Sequence, residues 1–159
     1  MLGNANIFAT TGNDRLVRVL DARSGPDDAP AVTFADEHSL VATCVRFSPT
    51  NQHQLLSTSF DGTIRLWDAR QPSASISAFR GHHGPGKPPL MHPIFDATAD
   101  HILTGGNGST CLFKYSTAPG GTCRLLDVGS APHTISLVPR HPDHILASSG
   151  KTANQLLRY

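Results

Sequence analysis

A chain of 159 residues, 38% hydrophobic and 16% charged, carries enough apolar surface for one folded domain and is not a disordered tail. Its formal net charge of +1, with Lys and Arg gathered on no one segment, excludes the electrostatic footprint of a nucleic-acid binder. With 14 glycines and 12 prolines it favours short strands joined by turns, and no apolar run approaches the ~20 residues of a membrane span.

In chain order, Phe8 to Arg23 reads as two strands around a turn at Asp14, and Ala31 to Phe34 as a further outer strand. Val41 to Phe47 alternates apolar and polar residues and closes at Ser48-Pro49. Leu55 to Ser59 is a short strand leading into Phe60-Asp61-Gly62, where Asp-Gly predicts a tight hairpin turn. Thr63 to Asp68 then sets Ile64 and Leu66 against Arg65 and Trp67, the period of two of a strand. Ile76 to Phe79 is a shorter fourth strand. A third set spans about 90–127, and a last set is predicted at 134–138, 144–149 and 155–159.

These strands repeat. FATTGNDRLVRVLDAR from Phe8 aligns with LLSTSFDGTIRLWDAR from Leu55, so Asp14, Arg18 and Asp21 meet Asp61, Arg65 and Asp68, each 47 residues on. A third copy begins at Ile102, again 47 later, and a fourth at Ile145, 43 after that. The period is close to the ~40–45 residues of a propeller blade, and four strands per repeat is the blade's architecture. The expected fold is therefore all-β, a β-propeller of about three and a half four-stranded blades in a partial or open ring. The expected blades are 1–35 (incomplete), 36–80, 81–128 and 129–159 (incomplete).

The second copy resembles the WD40 family. It carries the Trp-Asp dipeptide at Trp67-Asp68, with His38 in the preceding loop, Ser57 four residues before Asp61, and Trp67 six after it. The resemblance implies a hydrogen-bonded tetrad of His38, Ser57, Asp61 and Trp67, and a C-terminal part of a propeller. Its missing strands would come from N-terminal repeats or from a second chain. The other copies depart from the pattern. Leu20 stands for Trp in the first, Gly108 for Asp in the third despite Gly81-His82 and Thr104, and Ala147 and Lys151 interrupt the fourth despite His133. One full tetrad is expected.

Ser57, His38 and Asp61 are also the residue types of a hydrolase triad, but no GxSxG elbow is present and the spacing is that of the tetrad. No catalytic residue and no cofactor is expected, and a Ser-His-Asp hydrolase is the remote alternative. His82, His83 and His92 flank a Gly- and Pro-rich stretch that reads as an exposed loop between blades, with no cysteine or carboxylate at ligand spacing, so no metal is expected. His101 and His144 recur at one repeat position and read as turn residues. Cys44, Cys111 and Cys123, odd in number and outside any zinc or CxxC spacing, are expected as buried thiols.

The expected function is a non-catalytic protein-interaction scaffold in a multiprotein complex, in cytoplasm or nucleus, since no signal-peptide pattern opens the chain. On the loop face, Phe60 is the expected anchor, with Arg15 and Arg80 beside it. Leu55 to Arg70 also resembles a box of WD-repeat substrate receptors of cullin–RING ubiquitin ligases. That resemblance implies contact with the ligase adaptor through Asp68 and Arg70, and through Arg23 in the looser first copy. The bland alternative is that Arg70 caps a turn or pairs with a nearby carboxylate.

Overall fold

The computed structural model describes residues 6–25, 27–35, 37–82, 92–105, 110–118, 121, 123–127, 134–138, 141–149 and 152–158. Fourteen strands form four antiparallel sheets, and no helix occurs among the described residues. The first sheet is β1 (Ile7–Thr11), β2 (Val17–Asp21) and β3 (Val32–Thr33), paired in that order. The second is β4 (Ala42–Phe47), β5 (Gln54–Ser59), β6 (Ile64–Asp68) and β7 (Ser77–Phe79). The third is β8 (Ile94–Phe95), β9 (His101–Gly105), β10 (Cys111–Ser116) and β11 (Cys123–Asp127), and the fourth β12 (Thr134–Val138), β13 (His141–Ser149) and β14 (Thr152–Arg158). Four-stranded antiparallel meanders repeated along the chain are the blades of a partial WD-type propeller. Two compact units result, Met1–Phe79 and Arg80–Tyr159.

The sheet ladders give the repeat a register that spacing alone does not. Phe8 faces Leu20, Leu55 faces Trp67, Ile102 faces Tyr115 and Ile145 faces Leu157. Tyr115 therefore takes the ladder position of Trp67, although the 47-residue period points one residue earlier, to Lys114. The connection between β9 and β10 is one residue longer than its counterpart, which moves the whole of β10 by one.

Each unit buries one face of one sheet against the next. In the first unit Val17, Val19 and Phe34 meet Leu55 and Trp67, with Ile7, Ala9, Val45 and Phe47 at the margin. In the second, Ile94, Leu103 and Leu112 meet Ile135 and Ile145, with Leu126 and Leu137 at the margin. The alternation read in Thr63 to Asp68 does not mean one wet face, because Ile64, Leu66 and Trp67 are all at most 1% exposed. A strand covered on both faces loses the polar side of its pattern. The thiols also differ from expectation: Cys44 and Cys111 are half-buried, Cys123 is exposed on β11, and none of the three is joined in a disulfide. The last strands are longer than predicted, β13 starting at His141 and β14 at Thr152, with register shifts after Leu137 and Ala147 that pattern matching does not anticipate.

Phe34 is 1% exposed and its ring lies 5.1 Å from that of Trp67. Phe34→Ala is expected to cost about 3–5 kcal/mol, since the void opens between two sheets that cannot both relax. Urea unfolding followed by Trp67 fluorescence measures it.

Candidate functional site

The second sheet holds the densest polar cluster. Trp67 leaves β6 towards the first sheet and is fully buried, so its indole N–H needs an acceptor. It donates at 2.7 Å to Ser57 Oγ, two residues along β5 from its ladder partner Leu55. Ser57 Oγ also lies 2.7 Å from His38 Nε2, and His38 Nδ1 lies 3.3 Å from Asp61 Oδ2 and 3.2 Å from Thr63 Oγ1. With the indole N–H already pointing at Oγ, the serine hydroxyl donates to Nε2, and His38 carries its proton on Nδ1, facing the carboxylate. Asp61 further accepts the Ser39 N–H at 3.0 Å, the Thr63 N–H at 2.8 Å and the Thr63 hydroxyl at 2.6 Å. The arrangement welds the lead-in loop, the β5–β6 turn and the core indole into one body.

The electrostatics follow from this placement. Burial, above all, holds His38 below the ordinary imidazole pKa, while Asp61 pulls the other way. For Asp61 burial is a large opposing effect, yet the Thr63 and Ser39 hydrogen bonds keep its carboxyl below the usual range. A second staple sits beside the first. Glu37 accepts Ser75 N–H at 2.9 Å and the Ser75 hydroxyl at 2.5 Å, and its carboxylate pairs with Arg65, whose guanidinium also reaches the Glu37 carbonyl at 2.9 Å. Glu37, His38 and Ser39 are thus each anchored, an arrangement the spacing of Glu37, Arg65 and Ser75 over nearly forty residues conceals.

The hydrolase reading requires an accessible serine. Ser57 is 0% exposed and its oxygen has both partners it can use. The histidines distribute differently from expectation. His82 is not on an exposed loop: it is 0% exposed and its Nδ1 lies 3.0 Å from the Tyr115 hydroxyl, which donates to the Arg80 carbonyl at 2.7 Å. The phenol at the Trp67 position thus ties the lead-in loop of its own blade. Burial pushes the Tyr115 pKa up. His101 is not a turn residue but opens β9, with Nδ1 2.8 Å from the buried carboxylate of Asp96, and His144 lies within β13. His92 is exposed, and among the described residues no three His, Cys, Asp or Glu side chains gather. His83, Gly108, His133 and Lys151, and the loop segments 83–90, 107–109 and 130–133, lie outside the described residues.

The expected partner-binding residues occupy two separate settings. Arg23 and Arg70 are 65% and 63% exposed, and each folds back on the aspartate two residues earlier. Arg23 Nε and Nη2 lie 2.9 and 2.5 Å from Asp21, and Arg70 repeats those distances on Asp68. Each aspartate also accepts its arginine's backbone N–H, at 3.0 and 2.9 Å, closing an Asx-type turn. The guanidinium hydrogen bond holds Asp21 and Asp68 at about 2. On the turns, Phe60 is half-buried, its N–H donating to the Val41 carbonyl at 3.0 Å. Arg15 is exposed and left-handed at φ 67°, where the second blade has Gly62 at φ 78°. Arg80 is exposed, with its carbonyl engaged by Tyr115.

Residues 30–68 match the family described as WD domain, G-beta repeat. The chain is 30% identical over 84 residues to the ribosome biogenesis protein YTM1 of Laccaria bicolor, a match covering 53% of this chain and 19% of that protein. It is 34% identical over 117 residues to the ribosome biogenesis protein WDR12 homolog of Anopheles gambiae, covering 73% of this chain and 26% of the relative. It is also 31% identical over 90 residues to the transcriptional corepressor LEUNIG_HOMOLOG of Arabidopsis thaliana, covering 57% and 11%. The matches thus span about a quarter or less of these relatives' own length.

Two outcomes test the site. Ser57→Ala leaves the Trp67 indole and His38 without their shared partner and is expected to cost about 1–3 kcal/mol of stability, read from the urea midpoint, while a serine-directed covalent probe should leave Ser57 unlabelled in the wild type. Because the folded pKa of His38 lies below its unfolded value of about 6.5, the unfolded chain takes up the proton first. The contribution of His38 is then complete above about pH 6.5 and declines as the pH falls below it. Unfolding midpoints between about pH 8 and pH 5 should show that decline, and a midpoint that rises on acidification contradicts it.

Proposed function

From a chain that belongs to the WD-repeat proteins, by its match over residues 30–68 and its four-stranded blades, we propose a non-catalytic scaffold that holds other proteins in an assembly for ribosome biogenesis. The observation that carries the non-catalytic half is the fate of Ser57, His38 and Asp61, whose polar atoms are turned inward on one another and on Trp67. A residue set that spends its hydrogen bonds on the fold has none left for a substrate. The assembly half draws support from the YTM1 and WDR12 relatives, ribosome biogenesis proteins by name, and within the expected cytoplasm or nucleus it favours the nucleus.

The binding surface in this reading is the face carrying the lead-in loop and the β5–β6 turn. Its backbone is held by Glu37, His38 and Ser39, so little ordering entropy is lost on binding. Phe60 supplies an aromatic anchor, with Arg15 and Arg80 as polar contacts on the loops of their own blades. Phe60→Ala is expected to weaken capture of a ribosome-precursor particle about tenfold or more while leaving the unfolding midpoint nearly unchanged. Co-sedimentation of tagged wild-type and variant chains with such particles on a sucrose gradient checks it. Free sedimentation of the wild type refutes the ribosome reading.

The ligase-receptor reading keeps one favourable observation, the pair of exposed guanidinium groups in the same clasp on two successive blades. Each fork is already closed on its own aspartate, so an adaptor would compete with Asp21 and Asp68 for it. A pull-down with the purified ligase adaptor, using wild type and an Arg23→Ala/Arg70→Ala double variant, decides the matter. Retention of the wild type and loss of the variant supports it, and absence of wild-type binding rejects it.

A further inference from the structure

The outer strands of the first three sheets differ in how much edge they offer. β3 pairs with β2 over two residues, and β7 with β6 over three. Short outer strands are one way a sheet avoids unwanted strand pairing. β11 lacks that protection. All five of its residues, Cys123–Asp127, pair with β10, and among the described residues no strand pairs with its other edge. Four of the five are exposed, and only Leu126 leans into the core of its unit.

The two faces of this edge carry different chemistry, because successive residues of a strand alternate sides. Arg124 lies directly opposite Lys114 on β10, so two cations stand side by side on one face. Like charges in that position disfavour one another, and a carboxylate brought alongside offsets the repulsion. Leu125 belongs to the other face, where it is 60% exposed, more than Phe8, Leu40, Ile76 or Leu146. Asp127 ends the strand on the Leu125 face, away from the cations.

We propose that β11 is a docking edge for an extended, acidic segment of a partner protein, which adds to the four-stranded sheet as a fifth strand. In such an addition the backbone of the segment takes up the open N–H and C=O groups, and its alternate side chains confer selectivity. A residue opposite Arg124 falls on the face of Arg124 and Lys114. Strands lie about 4.8 Å apart, so a glutamate there is within reach of both long side chains. The neighbouring residue of the segment falls on the Leu125 face and is apolar. The occupant is thus a strand that alternates acidic and apolar residues. A second copy of β11 fits less well. Pairing about Leu125 would set its own Arg124 opposite Leu126, adding a cation to the face that already holds two. The inference stands apart from the ribosome-biogenesis reading and from the Phe60 surface, since it uses none of their residues.

The test is fluorescence anisotropy of the 159-residue chain with a short labelled peptide alternating Glu and Val. Two controls accompany it, the same peptide with Lys for Glu and the same peptide with its backbone amides N-methylated. Wild type should bind the Glu peptide about tenfold or more tighter than the Lys peptide, and Arg124→Glu should reverse that preference. N-methylation should abolish binding, and Leu125→Ser should weaken it. Arg124 and Leu125 are exposed, so circular dichroism should show both variants folded. Amide hydrogen exchange should slow in Cys123–Asp127 when the Glu peptide is present. Absence of wild-type binding overturns the proposal, as does binding indifferent to Arg124→Glu or to the N-methyl groups, or protection confined to other strands. Self-association of the wild type that Leu125→Ser abolishes gives the edge to a second copy, and also overturns it.

Discussion

Ser57 has one oxygen and two polar neighbours that the core would otherwise strand. The indole of Trp67 points at it from one side and the imidazole of His38 from the other, both at 2.7 Å. A buried N–H with no acceptor costs more than an ordinary hydrogen bond contributes, so this oxygen decides where Trp67 and His38 can sit. Trp67 then meets Phe34 and the valines of the first sheet. His38 draws down the lead-in loop, and Asp61 closes the turn over it. Core, loop and turn of the second blade share one polar hinge point.

The other blades keep the backbone of this solution and change its chemistry. In the third, a connection one residue longer brings Tyr115 to the place of Trp67, and its hydroxyl joins His82 and the Arg80 carbonyl. In the first, Leu20 offers no polar atom there, and Asp14 turns outward to Arg18 at 2.5 Å. The Asx-type geometry of the turn survives, since Leu16 N–H and Thr63 N–H reach Asp14 and Asp61 in the same way. Strand register is carried by backbone ladders and apolar pairs, so it tolerates such changes, whereas the polar cluster needs all its members at once.

This division bears on function. Ser57, His38 and Asp61 lie inside, occupied by one another and by Trp67, while the described loops of the first two blades offer solvent an anchored backbone, a half-buried aromatic and clasped arginines. Such a surface suits recognition of protein surfaces. The similarity to ribosome biogenesis proteins over as much as 73% of the chain fits a role of that type.

The sequence by itself determined the repeat and the strand order, and its WD40 resemblance pointed to His38, Ser57, Asp61 and Trp67, whereas Ser39 and Thr63 join that cluster only in the structure. A period of about 47 residues, Asp-Gly at a turn and Trp-Asp at a strand end are local signals that survive without coordinates. Strands at Val41 to Phe47, Leu55 to Ser59 and Thr63 to Asp68 were legible because period-two alternation and turn residues are written in consecutive positions. Only the tertiary structure decided what depends on distance through space. His82 reads as loop because glycine and proline follow it, yet it is buried against a tyrosine 33 residues away. His101 looks like a turn residue until Asp96 is found beneath it. Glu37 finds Arg65 and Ser75 across separations that no local pattern encodes. Phe8 and Leu55 are the same letter of the repeat, and only packing makes one exposed and the other buried. The physical reason is common to all of these: local sequence sets backbone geometry, while burial and hydrogen-bond partnership are set by what the next sheet or loop brings alongside.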